Sequence, residues 1–324
     1  MIRLGLIGCG EHSEIGHAVP LARYKAEHPD EVELTGVCDL RLERAQLFSS
    51  RYGFQHAYGD MNEMLGRADL DACVAVVPVG KIPQVGIQLL ERRMPCVVEK
   101  PLGASLSDIE ALRKAARETG TSNMVSVNRR FMPFLNRALG WSRGQGQLRY
   151  VRCTFTRHAR SEPEFLWGTA VHAVDTMRYI AGEITNASIR PIKPVRAAEW
   201  YAVDLEFADG ALGRIDVLPT CGVRDETYEM FGEGFRAVLT CPFGPRRGFG
   251  CFREDRVVLE DHESPSTTDD VINGFYDEAA SLIRLLHAKQ NLRPSIEDVF
   301  PSVQLCLSLA AQVAQHAAQV PTSS

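Results

Sequence analysis

The sequence has 324 residues, 45% hydrophobic and 24% charged, with 36 Lys and Arg against 41 Asp and Glu. That length suits about two domains at ~100–200 residues each, and the composition excludes wholesale disorder, a collagen-like repeat and a disulfide scaffold. A formal net charge of −5 gives no overall basic field for nucleic acid. No apolar run approaches the ~18 residues of a membrane span, and the opening run 2–7 is too short, and too soon broken by glycine, for a signal peptide. The expectation is a cytoplasmic protein with neither a membrane nor a nucleic-acid partner. Nine cysteines, an odd number, include no CxxC pair. Cys38, Cys73, Cys96, Cys153 and Cys306 sit in apolar surroundings and read as small buried hydrophobes, and no metal site is expected.

In chain order, residues 1–125 alternate strand and helix patterns. Strands are expected at 2–7, 32–38, 72–77, 96–98 and 124–127. Between them run helical periods at 41–52 (Leu42, Ala45, Phe48), 82–93 (Val85, Leu89, Leu90) and 107–119 (Ile109, Leu112, Ala116). The last has Ser107 as N-cap and Gly120 as stop. This alternation predicts βαβ units and a parallel sheet. Beyond 125, strand-like segments follow one another at 148–156, 187–192, 200–207, 211–218 and 236–240, with Ala208-Asp209-Gly210 as a hairpin turn. One helix interrupts at 169–181, and two close the chain at 271–288 and 296–319. Residues 321–324 read as a frayed tail. The expected organisation is an α/β domain over 1–125 and an α+β domain over 126–324, the second on an open, largely antiparallel mixed sheet.

The strongest local signal is Gly8-Cys9-Gly10-Glu11-His12-Ser13, directly after the first strand. It matches G-x-G-x-x-G with Ser13 at the third glycine. One glycine permits the tight turn, the next lets backbone approach a pyrophosphate, and the following helix offers its N–H groups to that anion. Gly8, Gly10, Glu11, His12 and Ser13 are therefore candidate cofactor contacts. Pro20 implies a late helix start or a kink. Asp39 closes the second strand, where a carboxylate accepts from the ribose hydroxyls of NAD and repels the extra phosphate of NADP. Arg41 beside it is able to stack on adenine or meet a 2′-phosphate, so NAD is favoured and NADP stays open. Further on, Glu99-Lys100-Pro101 places a lysine at the C-terminal end of a buried strand, where open α/β sheets bind ligands. Lys100 there is suited to proton transfer or to orienting a substrate hydroxyl.

Taken together, Gly8-x-Gly10, Asp39, Val77-Pro78, Glu99-Lys100-Pro101 and Asn128-Arg129-Arg130-Phe131 resemble the glucose–fructose oxidoreductase, inositol dehydrogenase and MocA family (Gfo/Idh/MocA). The resemblance covers nearly the whole chain and is tightest over 1–131. It implies a Rossmann domain followed by a sheet domain that binds substrate and assembles dimers or tetramers. It also implies NAD(P)-dependent hydride transfer to or from a sugar, polyol or sugar-acid derivative. Val77, Pro78, Glu99 and Lys100 then join the cofactor site, with Lys100, Asn128, Arg130, His172 and Asp175 at the substrate. Lys100 and His172 are the catalytic pair, and His172, with an unperturbed pKa of ~6.5, is the better acid/base.

Two family positions differ. An Asp four residues before the His is Gly168 here, and a His four beyond Pro78 is Ile82. Glu162 or Glu164 is the candidate replacement for that Asp. Arg157-His158-Ala159-Arg160 hints at an acidic substrate, against the plainer reading of a solvated loop. Two other functions stay open: an NAD-binding sugar sensor or partner subunit with little catalysis, and a lyase working through transient oxidation by NAD.

Overall fold

The computed structural model describes residues 1–192 and 199–319; the expected tail at 321–324 lies outside them. The described chain divides into two compact units, 1–128 with 274–301, and 129–273 with 302 onward. The division differs from a single cut at 125/126 because 274–301 returns to the first unit.

The first unit carries β1 (Ile2–Ile7), α1 (Glu11–Ser13), α2 (Val19–Glu27), β2 (Val32–Cys38), α3 (Leu42–Tyr52), β3 (His56–Tyr58), α4 (Met61–Arg67), β4 (Ala72–Ala75), α5 (Ile82–Glu91), β5 (Cys96–Glu99), α6 (Leu106–Thr119) and β6 (Asn123–Ser126). Its six strands are all parallel, in the order β3-β2-β1-β4-β5-β6. That order reverses direction between β1 and β4, and such a switch point opens a crevice at the strand C-termini. The central strands are buried on both faces, so they read as short continuous apolar runs rather than alternating ones. β3 and α4 escaped the sequence reading; three residues of strand carry almost no periodic signal. The cap of α6 is Ser105, whose hydroxyl accepts from the Asp108 N–H, and not Ser107.

The second unit holds α7 (Pro133–Gln145), β7 (Leu148–Thr156), α8 (Val171–Ala181), β8 (Ile184–Ile192), β9 (Trp200–Phe207), β10 (Leu212–Leu218), β11 (Asp225–Gly232), β12 (Phe235–Thr240), β13 (Gly248–Arg253), β14 (Arg256–His262) and α9 (Asp269–Ile272). The eight strands form one sheet, β14-β13-β12-β11-β7-β10-β9-β8, antiparallel except for the parallel pair of β7 and β10. The hairpin at Asp209-Gly210 joins β9 to β10, with Gly210 at φ 85°. α7 was missed although Phe134, Leu135, Ala138, Leu139 and Ser142 are buried at helical spacing; Gly140 and Gly144 weakened that pattern.

The expected helix 271–288 is broken at Gly274 (φ 80°) into α9 and α10 (Phe275–His287), and the break coincides with the change of unit. The return segment runs along β6, the edge of the parallel sheet. Val125 N–H donates to Pro294 O at 2.8 Å, and Asn123 Oδ1 accepts from Ile296 N–H at the start of α11 (Ile296–Gln319). An edge strand is thereby covered. Arg113 and Arg117 of α6 both clasp Glu297. Among the described residues no helix is long and apolar enough to cross a membrane.

Candidate active site

In the first unit, β1 ends in a turn that only glycine tolerates. Gly8 has φ 95°, its N–H donates to Cys38 O at 2.7 Å, and a Cβ there would run into the carbonyl of Val76. Gly10 is different: nothing lies within 4 Å of where its Cβ would be. Its φ of −89° suits any residue, so its bareness keeps the space beside the loop open rather than the backbone relaxed. Ser13, at the third glycine position, is buried and donates its hydroxyl to Gly8 O at 2.6 Å, locking the loop from beneath. Asp39 Oδ2 accepts from Cys9 N–H at 2.9 Å, while Oδ1 accepts from Arg41 N–H at 2.9 Å. The second strand's carboxylate thus holds the glycine loop directly. Glu11 and His12 are exposed on the same turn, and Val77 and Pro78 follow β4 next to Val76. Ile82 is buried at the start of α5. An open cradle at Gly10, an adjacent helix start and a carboxylate at the end of β2 fit a dinucleotide.

As Pro20 implied, the regular helix α2 starts late, at Val19. A π-helical turn at Glu14–Ala18 separates α1 from α2 and puts Pro20 in the first turn of α2, where no N–H is required. That turn also carries His17. His17 Nε2 lies 2.7 Å and His12 Nε2 3.1 Å from the same oxygen, Glu99 Oε1. Burial would raise the Glu99 carboxyl, but the two histidines overcome it and hold it well below the usual carboxylate range. Glu99 therefore anchors the loop helix to the end of β5, with Lys100 next in the chain and the Lys100–Pro101 bond cis. The role of His17 escaped the sequence reading; a buried histidine 82 positions from its partner leaves no local pattern. His12, His17 and Glu99 are close enough to share a metal ion, and both histidines direct Nε2 at the same Glu99 oxygen.

In the second unit, His172 is buried in the first turn of α8, and Thr176 one turn later donates to its carbonyl at 2.7 Å. Asp175 is buried and receives Arg130 Nε at 2.8 Å, Arg130 Nη2 at 2.7 Å and Ser302 Oγ at 2.8 Å. Arg130 and Asp175, both expected at the substrate, are thus paired to each other in a bidentate fork. Gly168 lies in a separate π-helical turn, Phe165–Thr169, before α8 begins, so 168 and 172 do not share one regular helix face. A Cβ at 168 would make only an ordinary contact with Glu164 Cβ at 3.7 Å, so the side chain is missing without a steric reason. Glu162, one candidate replacement for the family Asp, is held by Arg160, which lowers its carboxyl against the opposing effect of burial. Asn128 is buried at the end of the first unit.

Fold and loop together define an NAD-binding oxidoreductase. Residues 2–128 match the GFO_IDH_MocA family, described as an oxidoreductase family with an NAD-binding Rossmann fold. A 4-carboxy-2-hydroxymuconate-6-semialdehyde dehydrogenase of a Sphingobium species is 31% identical over 226 residues, covering 65% of this chain and 70% of that protein. The myo-inositol 2-dehydrogenase of Thermotoga maritima is 24% identical over 280 residues, 81% of this chain and 79% of that one. Among solved structures, a Gfo/Idh/MocA family oxidoreductase from Vibrio cholerae superimposes with a TM-score of 0.83 at 19% identity, over 98% of this chain and 100% of that one. The chain belongs to the Gfo/Idh/MocA family.

Proposed function

We propose that the protein is a dehydrogenase that oxidises a CH–OH group of a sugar, polyol or sugar-acid derivative, with NAD preferred over NADP. The observation that carries the cofactor half is the Asp39 carboxylate fixed to Cys9 N–H at the mouth of the glycine loop. A full negative charge held there disfavours a 2′-phosphate. The dehydrogenases named above, which include inositol and semialdehyde dehydrogenases, support the substrate class.

Bound NAD supplies hydride acceptance; the chain supplies placement and proton handling. Gly8, Gly10 and the N–H groups of Glu11, His12 and Ser13 would hold the pyrophosphate, and Val77 and Pro78 would complete the cofactor site. Lys100 orients and polarises the reacting oxygen, and His172 takes its proton. Asn128 completes the substrate contacts. Arg130 and Asp175 act as a clamp that positions α8, since their charges are directed at each other. The same reading makes the protein a cytoplasmic homodimer or homotetramer, which light scattering tests.

Lys100→Met and His172→Ala should each lose ~10²–10⁴-fold in kcat, the span of general acid–base assistance, with NAD affinity and Tm unchanged. NADH formation is followed over a panel of polyols, sugars and sugar acids. Normal turnover by His172→Ala would refute its assignment. Product formed without accumulating NADH would replace the dehydrogenase by a lyase that uses NAD transiently.

A further inference from the structure

Three arginines gather where β7 ends and β11 begins in the second unit's sheet. Glu226 on β11 is fully buried. Arg129 grips both its oxygens, with Nε at 3.2 Å and Nη2 at 2.8 Å, and Arg157 Nη2 adds a bond of 2.6 Å to Oε1. A third arginine, Arg224, stands two residues before Glu226. Its guanidinium lies 3.4 Å from the centroid of the Phe243 ring, with Arg129 and Arg157 at 5.4 and 5.3 Å from the same ring.

Arg224 is exposed, and among the described residues it makes no hydrogen bond or salt bridge. Its neighbour Asp225 is within reach of the Thr227 hydroxyl instead, at 3.4 Å. Arg160, the next cation, is matched by Glu162. Partial burial and the repulsion of Arg157 and Arg129 push the Arg224 guanidinium below its ordinary pKa, so its charged form is held at a cost. An incoming anion beside the Arg224 guanidinium offsets that cost.

The cluster connects to the helix of His172. Thr176, bonded to the His172 carbonyl, also meets the Tyr228 hydroxyl, and Tyr228 in turn donates to Glu226 at 3.2 Å. The stacked, exposed fork of Arg224 has the planar geometry that matches a carboxylate.

We propose that Arg224, backed by Arg157 and Arg129 on the Phe243 ring, is the subsite for a carboxylate on the substrate, so the protein acts on a hydroxy acid rather than a neutral polyol. The proposal rests on reading the second unit as the substrate-binding one.

The test is calorimetric titration of the full-length, NAD-loaded protein with sodium D-gluconate, sodium L-tartrate, myo-inositol and D-glucose 6-phosphate. The parent should bind at least one carboxylate more tightly than myo-inositol. Arg224→Gln should weaken that carboxylate at least ~10-fold, or ~1.4 kcal/mol, and leave NAD affinity and Tm unchanged. Arg224→Lys should lose less. Equal carboxylate affinity in parent and Arg224→Gln overturns the subsite, as does Arg224 dependence confined to the phosphate ester. NADH formed from neutral polyols alone overturns it while leaving the dehydrogenase reading intact. Arg224-dependent gluconate binding without NADH from any compound upholds the subsite and refutes that reading instead.

Discussion

The two glycines of the loop perform different tasks, and the difference predicts opposite outcomes for two substitutions. Gly8→Ala forces a Cβ onto a residue at φ 95° and against the Val76 carbonyl. The left-handed backbone costs ~1–2 kcal/mol for an L-residue, and pushing β1 and β4 apart adds ~1–3 kcal/mol of overpacking strain. The sum, ~2–5 kcal/mol, corresponds to a fall of ~5–15 °C in Tm for a unit of this size. Gly10→Val places its Cβ where no atom beyond the neighbouring residues lies within 4 Å, on a backbone already extended. Its stability should stay within ~0.5 kcal/mol of the parent, but the isopropyl group occupies the approach of the pyrophosphate. The NAD Kd should rise by more than ~10-fold, or ~1.4 kcal/mol. Scanning calorimetry and fluorescence titration with NAD, run on both variants, separate the two effects. Unchanged NAD affinity in a folded Gly10→Val protein would refute the placement of the dinucleotide at this loop. A Gly8→Ala protein as stable as the parent would refute the packing against Val76.

Asp39→Ser should shift the ratio of NAD to NADP affinity toward NADP by at least ~10-fold, because the fixed charge facing a 2′-phosphate is gone; competitive titration of both dinucleotides checks it, and an unchanged ratio would assign the choice to Arg41. Arg130→Ala strands the buried Asp175 carboxylate and should cost ~3–5 kcal/mol in denaturant unfolding, whereas Arg130→Met with Asp175→Leu should recover much of that loss. A single variant as stable as the parent would show that the fork is not structural. Glu297 gives a pH signature. Arg113 and Arg117 hold its carboxyl down to about 2 from 4.5, so the clasp contributes above pH 4.5 and is lost as pH falls toward 2. Its side chain is 47% exposed, so solvent screening limits the gain to at most ~1 kcal/mol. The Tm gap between the parent and Glu297→Gln should close across that window, and a constant gap would contradict the assignment.

Much of the protein was legible in one dimension. Strands buried on both faces of a parallel sheet announce themselves as short apolar runs, and a glycine loop must sit where chain direction and backbone approach require it. Spacing therefore singled out Gly8, Gly10, Ser13 and Asp39, which the structure brings to one turn, and the largely antiparallel second sheet was legible as well. Periodicity is local, however, and it failed where the signal was too short or diluted, at β3, at α4 and at the glycine-bearing α7, and it left β11, β13 and β14 unread. The site's charge pattern was decided in three dimensions. Only folding joins Glu99 to His12 and His17, turns Arg130 onto Asp175, and gathers Arg129 and Arg157 around Glu226. Those partners stand 45 to 97 positions apart in the bonds that define them. An ionisable side chain's role depends on which charge it meets after burial, and the sequence lists the charges without pairing them. The return of 274–301 along β6 is of the same kind: an exposed strand edge selects its cover by shape and hydrogen bonding, not by nearness along the chain.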